Sequence, residues 1–544
     1  MGQGNRVVYL RAGVANFKPP PVWEPASTGG SKTLQEFWEA GKLKEIYAEE
    51  FLWSGFTRLV TETRSQGIDI SPTTTINVAV SYPHEMAQMR EDEVAEEFRR
   101  RLAESEYRTA FRQAPRVRFT PTHAASASGI VPFNDALADL SERGEEMSMV
   151  VAGGNTKGTN RNRPRVSPAE TTDIFASLVS PFDRRHAKAN MLKLGAAALG
   201  RAYQHDFDLI KALERFIHAQ RLYTHDLARR GLSTAHVTTH PDMIEDRTIF
   251  SPLKLGGTGP QSMGYAGLLL ATQPPPAGRA VRVVGIGCGV DASSIRDRPS
   301  HLFSRAMASA VSNALVQARL PGLRSLKVLE HHNPYPAVPL TELTVLLKAL
   351  GYPGSATQAL LQNDIGVHGR MICAGRSGGA QVGHAITPTF LRLVFETSKQ
   401  FLGAGGYPAL DLGPDEVGYG GVSSVGGHHT FDGYAILAGG SREAVATLDA
   451  ALEPFDHDHY NGVAERDLEE QAALTGAVIP DGMTLGFISF QDAKGGRDYF
   501  AIARTPDGRD FPFVGSPAFF TPLLETAYIG TPIRISPTLQ AVES

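Results

Sequence analysis

The sequence predicts an α/β fold of two α/β halves followed by a small β-rich unit, and three observations carry that expectation. Arg116 to Thr120 reads as a strand feeding a small-residue turn, His123 to Gly129. A helix from Pro132 to Arg143 and a strand, Met147 to Ala152, follow and end in Gly153-Gly154. Strand, small-residue turn, helix and strand together make an α/β unit with a functional turn. A second such succession begins after the linker Gln273 to Arg279: strand Ala280 to Ile286, helix His301 to Ala318, strand Ser325 to Leu329. The end of the chain changes character. Leu485 to Phe490, Asp498 to Arg504 and Ile533 to Ser536 read as strands, with Pro506-Asp507-Gly508 as a hairpin turn.

The remaining elements follow from periodicity and punctuation. Arg6 to Ala12 and Thr75 to Ser81 are apolar, β-branched strand candidates. Phe17 to Lys32, rich in Pro, Gly and Ser, reads as a loop, and Leu34 to Gln66 is helical in pattern. Glu91 to Glu104 is a charged, solvated helix. Ala187 to Arg230 reads as helical, with His205, His218 and His225 at spacings that favour hydrogen-bonded or solvated histidines over a metal face. The expected units are 1–278, the first half with loop insertions; 279–440, the second half; and 441–544, a linker and the β-rich unit.

At 544 residues the chain is too long for one simple core, and its net charge of −4 gives no general attraction to nucleic acid or to an anionic membrane surface. Its 2 cysteines, Cys288 and Cys373, make neither a disulfide framework nor a zinc-type pair, which fits a reducing compartment. The first residues lack the apolar core of a signal peptide, and no run of apolar residues is long enough to insert in a membrane, so a cytoplasmic protein is expected. Gly285-Ile286-Gly287-Cys288-Gly289 is not a dinucleotide fingerprint. Asp456-His457-Asp458-His459 has the residue types of a metal cluster, but neighbours on a strand or loop point apart, so no metal is expected.

Four short segments carry the functional reading: Ser126-Ala127-Ser128-Gly129, Glu330-His331-His332-Asn333-Pro334-Tyr335, Ser377-Gly378-Gly379 with Gly383-His384, and Ser424-Val425-Gly426-Gly427. In this order they resemble the active-site loops of the thiolase superfamily, nearest the sterol-carrier-protein-type thiolases. His332 and His384 match the motif histidines. Ser126 and Ser424 stand where the two catalytic cysteines belong, Pro334 replaces a further Cys, Asn333 replaces Asp and Ala385 replaces Pro. The resemblance covers roughly 1–440, and the C-terminal unit is similar to the extra domain of some thiolase-like proteins.

The resemblance implies a thiolase-like fold of two α/β halves in layers with helices between sheets. It also implies a coenzyme A thioester as substrate, with no permanently bound cofactor. Ser126, His332, His384 and Ser424 would be the catalytic group. Asn333, Ser377, Gly378, Gly379, Gly426 and Gly427 would bind substrate. The partners implied are an acyl-CoA, a second copy or three in a homodimer or homotetramer, and a possible small partner protein. The two histidines preserve an enolate hole, but a serine hydroxyl is hardly ionised near neutral pH and needs an adjacent base, for which His384 is the candidate. The expected chemistry is therefore formation or cleavage of a C–C bond in an acyl-CoA, as in acetyl-CoA acetyltransfer. A retro-aldol lyase, with Tyr335, Tyr419 or His428 as acid or base, and a non-catalytic partner in an enzyme complex are the alternatives. His331-His332 also reads as two hydrogen-bonded histidines at a strand end. The basic loop Lys157 to Arg165, with Lys157, Arg161, Arg163 and Arg165, and the pair Arg184-Arg185 suit the phosphates of CoA.

Overall fold

The computed structural model describes residues 7–17, 48–81, 91–120, 127–155, 179–234, 248–259, 262–298, 303–474, 479–493, 496–535 and 541–542. Ser126, Lys157, Arg161, Arg163 and Arg165 lie outside the described residues.

The first half holds β1 (Val8–Asn16), α1 (Ala48–Ser65), β2 (Thr73–Ser81), α2 (Glu91–Glu104), β3 (Arg116–Phe119), α3 (Ile130–Ser141) and β4 (Met147–Asn155). Next come α4 (Pro181–Ala187), α5 (Met191–His205), α6 (Leu209–Arg229), β5 (Thr248–Phe250), β6 (Leu253–Lys254) and β7 (Met263–Ala271). The second half holds β8 (Arg279–Val290), α7 (Arg305–Ala318), β9 (Leu326–Glu330), α8 (Ala337–Ala349), α9 (Ala356–Leu361), β10 (Ile365–Gly366), β11 (Ile372–Ala374), α10 (Thr387–Leu402), β12 (Gly418–Gly426) and β13 (Phe431–Ser441). The end of the chain holds α11 (Arg442–Ala446), α12 (His457–Ala473), β14 (Thr484–Ala493), β15 (Gly496–Arg504), β16 (Asp510–Phe513), α13 (Pro517–Leu524), β17 (Arg534–Ile535) and β18 (Ala541–Val542).

Eleven strands form one mixed sheet in the order β10-β11-β9-β12-β13-β8-β1-β7-β4-β2-β3. β1 joins the halves: it pairs with β7 from Tyr9 to Asn16 but with β8 only at Val8 and Tyr9. Helices α3 and α10 lie between the halves, in a core drawn from β1, β4 and β7 on one side and β8, β9, β12 and β13 on the other. Outer layers close each half. Phe51, Phe56 and Leu59 of α1 and Val94 and Phe98 of α2 cover the first. Helices α5, α6, α7 and α8 cover the second. Central strands buried on both faces, such as β7 and β12, lack the polar alternation of a half-buried strand.

A close approach sets the second half's outer layer. A Cβ at Gly285, Gly287 or Gly289 of β8 would collide with the main-chain carbonyls of Ala314, Ala310 and Ala306 on α7. The glycines therefore let the helix backbone lie directly on the strand.

Two expectations are corrected. The helical stretch from Ala187 to Arg230 is three helices. The Asn190 side chain accepts from the Lys193 amide and starts α5, and the chain breaks again at Asp206. Asp456 to His459 is a helix start, because the Asp456 side chain accepts from the amides of Asp458 and His459. His457 there sits 3.4 Å from Asp135 of α3.

The C-terminal unit is a β14-β15-β16 sheet whose turn at Pro506-Asp507-Gly508 links β15 to β16. Phe500, Phe513 and Phe520 pack there with Phe182 and Leu194 of α4 and α5, so this unit and the insertion share one core. No described helix is long and apolar enough to cross a membrane.

Candidate active site

The site forms where strand ends of the second half meet the starts of the two central helices. β9 ends at Glu330, and the next residues, His331, His332 and Asn333, are buried. The Glu330 carboxylate accepts from the Ser377 hydroxyl at 2.5 Å, the Ser377 amide at 3.2 Å and the Gln400 amide nitrogen at 2.7 Å. This draws the Ser377-Gly378-Gly379 turn onto the end of β9. Gly378 and Gly379 have φ of +76° and +53°, and a Cβ on Gly379 would strike Asn333 Oδ1. Arg392 of α10 donates to the carbonyls of Ser377 and Gly379 from the other side. The turn delivers His384 to His332, with the two Nε2 atoms 3.1 Å apart.

Both imidazoles are buried, and burial lowers both pKa values. His384 falls to about 4, with Arg392 nearby adding to the burial. His332 is pushed well below its ordinary value by burial, then by His384 and Arg392. Near neutral pH both rings are uncharged, so one Nε2–H donates and the other Nε2 accepts. The His332 main-chain N–H donates to Ser423 Oγ at 2.9 Å, and Ser423 Oγ donates to Glu342 Oε2 of α8 at 2.6 Å. That carboxylate also lies 3.0 Å from His331 Nδ1. Asn333 Nδ2 donates to Gln220 Oε1 of α6 at 3.0 Å.

A second pair sits beside the first. Tyr335 Oη and His428 Nδ1 are 3.0 Å apart with their rings stacked. Burial raises the Tyr335 phenol far above its usual range, so it keeps its proton, and the His428 tautomer sets whether Oη donates to Nδ1 or accepts from Nδ1–H. Arg298 donates to the His428 carbonyl at 2.5 Å. His429, at φ +58°, holds Asp432 through Nδ1 at 2.8 Å, and the turn passes through Gly427 at φ +62°.

Three solved structures share this architecture. A monomeric SCP2-thiolase-like protein type 1 from Mycobacterium smegmatis aligns with a TM-score of 0.61 at 13% identity over 100% of both chains. An acetyl-CoA acetyltransferase from Syntrophomonas wolfei aligns with a TM-score of 0.52 at 12% identity, over 80% of this chain and 99% of that one. The Ltp2-ChsH2 aldolase aligns with a TM-score of 0.52 at 14% identity, over 80% and 98%. The fold is thiolase-like. By sequence, no family model and no curated protein matches the chain.

Within this thiolase-like fold the motif residues separate into three groups. His332, His384, Asn333, Ser377, Gly378, Gly379, Tyr335 and His428 come together as described. Ser424 lies in β12 opposite Gly433, where a Cβ would meet Ile130 of α3, so it faces the central helix. Its hydroxyl is buried and has no partner among the described residues. Gly426 closes β12 opposite Phe431. Ser126 lies outside the described residues, but Ser128 Oγ is 2.6 Å from Thr387 Oγ1, so the start of α3 meets the start of α10 just beyond His384.

Tyr419 is a correction: it does not join this group. It stands five positions before Ser424, near the other end of β12, about 17 Å away along an extended strand. It lies near Arg282 instead. Arg185 is also engaged elsewhere, donating to the carbonyls of Leu474 and Ala472 at 3.2 Å each, at the end of α12.

The cysteines stay apart from the histidine pair. Cys373 is in β11, half-buried, and burial raises its thiol pKa. Cys288 is opposite Gly433 in β8, so it shares a cross-strand row with Ser424, about 10 Å away. Burial and the nearby Asp432 push that thiol well up. Sequence reading missed Ser423, Glu342, Gln220 and Arg392, whose roles are set by contacts distant in the chain. It named Glu330 and His331 without finding their partners.

Proposed function

We propose that the protein binds an acyl-CoA thioester and makes or breaks its Cα–Cβ bond, without a cysteine nucleophile. The observation that supports this best is the buried, uncharged His332–His384 pair. A thioester oxygen entering there would accept the one Nε2–H that the pair holds between its rings, in a site of low polarity where a hydrogen bond to a developing enolate oxygen is strongest. Uncharged rings leave the proton inventory of the site to be set by the substrate.

The Tyr335–His428 pair favours the lyase branch over acyl transfer. In the retro-aldol direction a base takes the proton of a β-hydroxyl, the Cα–Cβ bond breaks, and its electrons pass to the thioester as an enolate. A proton then returns to Cα, giving a carbonyl compound and a shorter acyl-CoA. His428 is the candidate base: with its Nδ1–H donating to Tyr335 Oη, Nε2 keeps a free lone pair. An acyl-enzyme route would instead rest on Ser126 with His384 as base.

The test is to offer a β-hydroxyacyl-CoA and acetyl-CoA separately, following thioester products and protein mass. The lyase reading expects carbonyl product with no adduct on Ser126, and a loss of roughly 10²- to 10³-fold in His332→Ala and His384→Ala. An acyl adduct on Ser126 would move the proposal to acyl transfer. Turnover unchanged in both histidine variants would remove it.

A further inference from the structure

A cavity of about 280 Å³ lies between α6 and the segment Pro252 to Gly257. Its walls are mostly apolar: Leu199, Leu213, Ile217, Leu253 and Pro336. Pro336 lines it and the Gly259 amide donates to the Pro334 carbonyl at 2.7 Å, so the cavity lies behind the loop that follows His332. Four titratable side chains also line it: Glu214 and Lys254, which pair at 3.1 Å, His218, and Arg221. Arg221 of α6 is only 9% exposed, and no carboxylate pairs with it among the described residues.

The contacts of Arg221 are with neutral groups. One nitrogen, Nη2, donates to Gln381 Oε1 at 3.0 Å and to the Thr258 carbonyl at 3.3 Å. Nε is buried with no partner. Burial alone lowers the guanidinium to about 10, so it is still charged at neutral pH. A buried, charged fork with a spare donor is costly unless an anion joins it. Gln381 stands three residues before His384, and its amide nitrogen donates to the Gly257 carbonyl, so Arg221 belongs to the same framework as the reacting groups.

We infer that this cavity is an anion-binding annex of the site, in which Arg221 holds the carboxylate or phosphate of a ligand whose apolar stem fills the cavity. The inference rests on the thioester reading above and names the substrate class: a thioester with an anionic head, borne either on the acyl group or on the CoA moiety. A planar oxyacid suits the guanidinium fork, and the apolar walls take the stem in the way of a pre-formed small-molecule pocket. Arg221 is a binding residue here, distinct from the groups that handle protons.

Binding is measured by calorimetry, with no turnover needed, so a failure of the chemistry and a failure of the annex are read separately. Two ligand pairs distinguish the source of the anion. The first is a pantetheine thioester with an ω-carboxyl chain against the same chain ending in methyl. The second is a methyl-terminated acyl-CoA against the matching acyl-pantetheine, which lacks the phosphates. In the wild type one pair should differ by roughly ten-fold or more in Kd, the worth of a charge-assisted hydrogen bond. Arg221→Gln should abolish that difference and Arg221→Lys should keep part of it. Ile217→Trp, which fills the cavity while leaving the charge, should weaken the favoured ligand. Matching Tm values check that the variants fold. A difference that survives in Arg221→Gln, or no difference in either pair, overturns the inference.

Discussion

The loops that bring His384 and His332 together are anchored in different ways. The His384 loop is held through its main chain by charges of both signs: Glu330 takes the Ser377 amide, and Arg392 gives to the carbonyls of Ser377 and Gly379. The His332 loop is tied by the His332 amide to Ser423 Oγ, backed by Glu342, and by the Pro334 carbonyl, which accepts from the Gly259 amide at 2.7 Å. Among the described residues, His332 Nδ1, Asn333 Oδ1 and Glu342 Oε1 are also buried there without partners. Charge-assisted bonds are about twice as strong as neutral ones. The contrast teaches that one histidine is set by the scaffold, while the other has room to re-form its bonds around a ligand.

The contrast is broken most severely at Glu330. Glu330→Ala leaves the Ser377 amide and hydroxyl and the Gln400 amide buried and unpaired, and should cost about 3 kcal/mol or more in urea unfolding. Ser423→Ala takes an acceptor from the His332 amide and a donor from Glu342, and should cost about 2 kcal/mol. Equal losses would show that the two loops are anchored alike.

A pH titration of stability sharpens the comparison next. A histidine whose folded pKa is depressed binds its proton more readily in the unfolded chain. Stability is therefore full above the unfolded value near 6.5 and is lost as pH falls toward about 4, the folded value for His384. That ring alone contributes a slope of up to about 1.4 kcal/mol per pH unit over the window. The slope should flatten in His384→Asn; a slope unchanged there would place the titration elsewhere.

Tyr335→Phe removes one buried hydrogen bond, to His428, and should cost about 1 kcal/mol while lowering the lyase rate far more than any acyl transfer. Ser424→Ala is the smallest change. Its hydroxyl has no partner to lose, so stability should stay within about 0.5 kcal/mol or rise slightly. A larger loss would mean that Ser424 is bonded in solution.

Much of the α/β framework was legible in the chain, because strand–turn–helix units are local patterns. The helix Glu91–Glu104 and the strand starting at Met147 stand where periodicity puts them. The small-residue turn at Ser377 and the two histidines were legible through the resemblance of their short segments to thiolase-superfamily loops. The network behind His332 was not: Ser423 and Glu342 lie 91 and 81 residues from their partners, and nothing local marks a buried glutamate in an apolar helix. Tyr419 was misplaced because neighbourhood in sequence was taken for neighbourhood in space, although an extended strand carries each residue about 3.4 Å further from its origin.

The three glycines of β8 have a consequence for tolerance. Each lets a turn of α7 rest on bare backbone, at Ala306, Ala310 and Ala314. The helix is thus gauged against the strand at three successive points, as a shaft is held by three bearings without clearance. A single methyl group at any of them would lift the whole shaft. β8 is also bonded along its length to β13, the strand entered from the His428 turn. The fit of an alanine helix on a glycine strand therefore sets the alignment of a loop at the reacting end, although none of these residues carries a functional group.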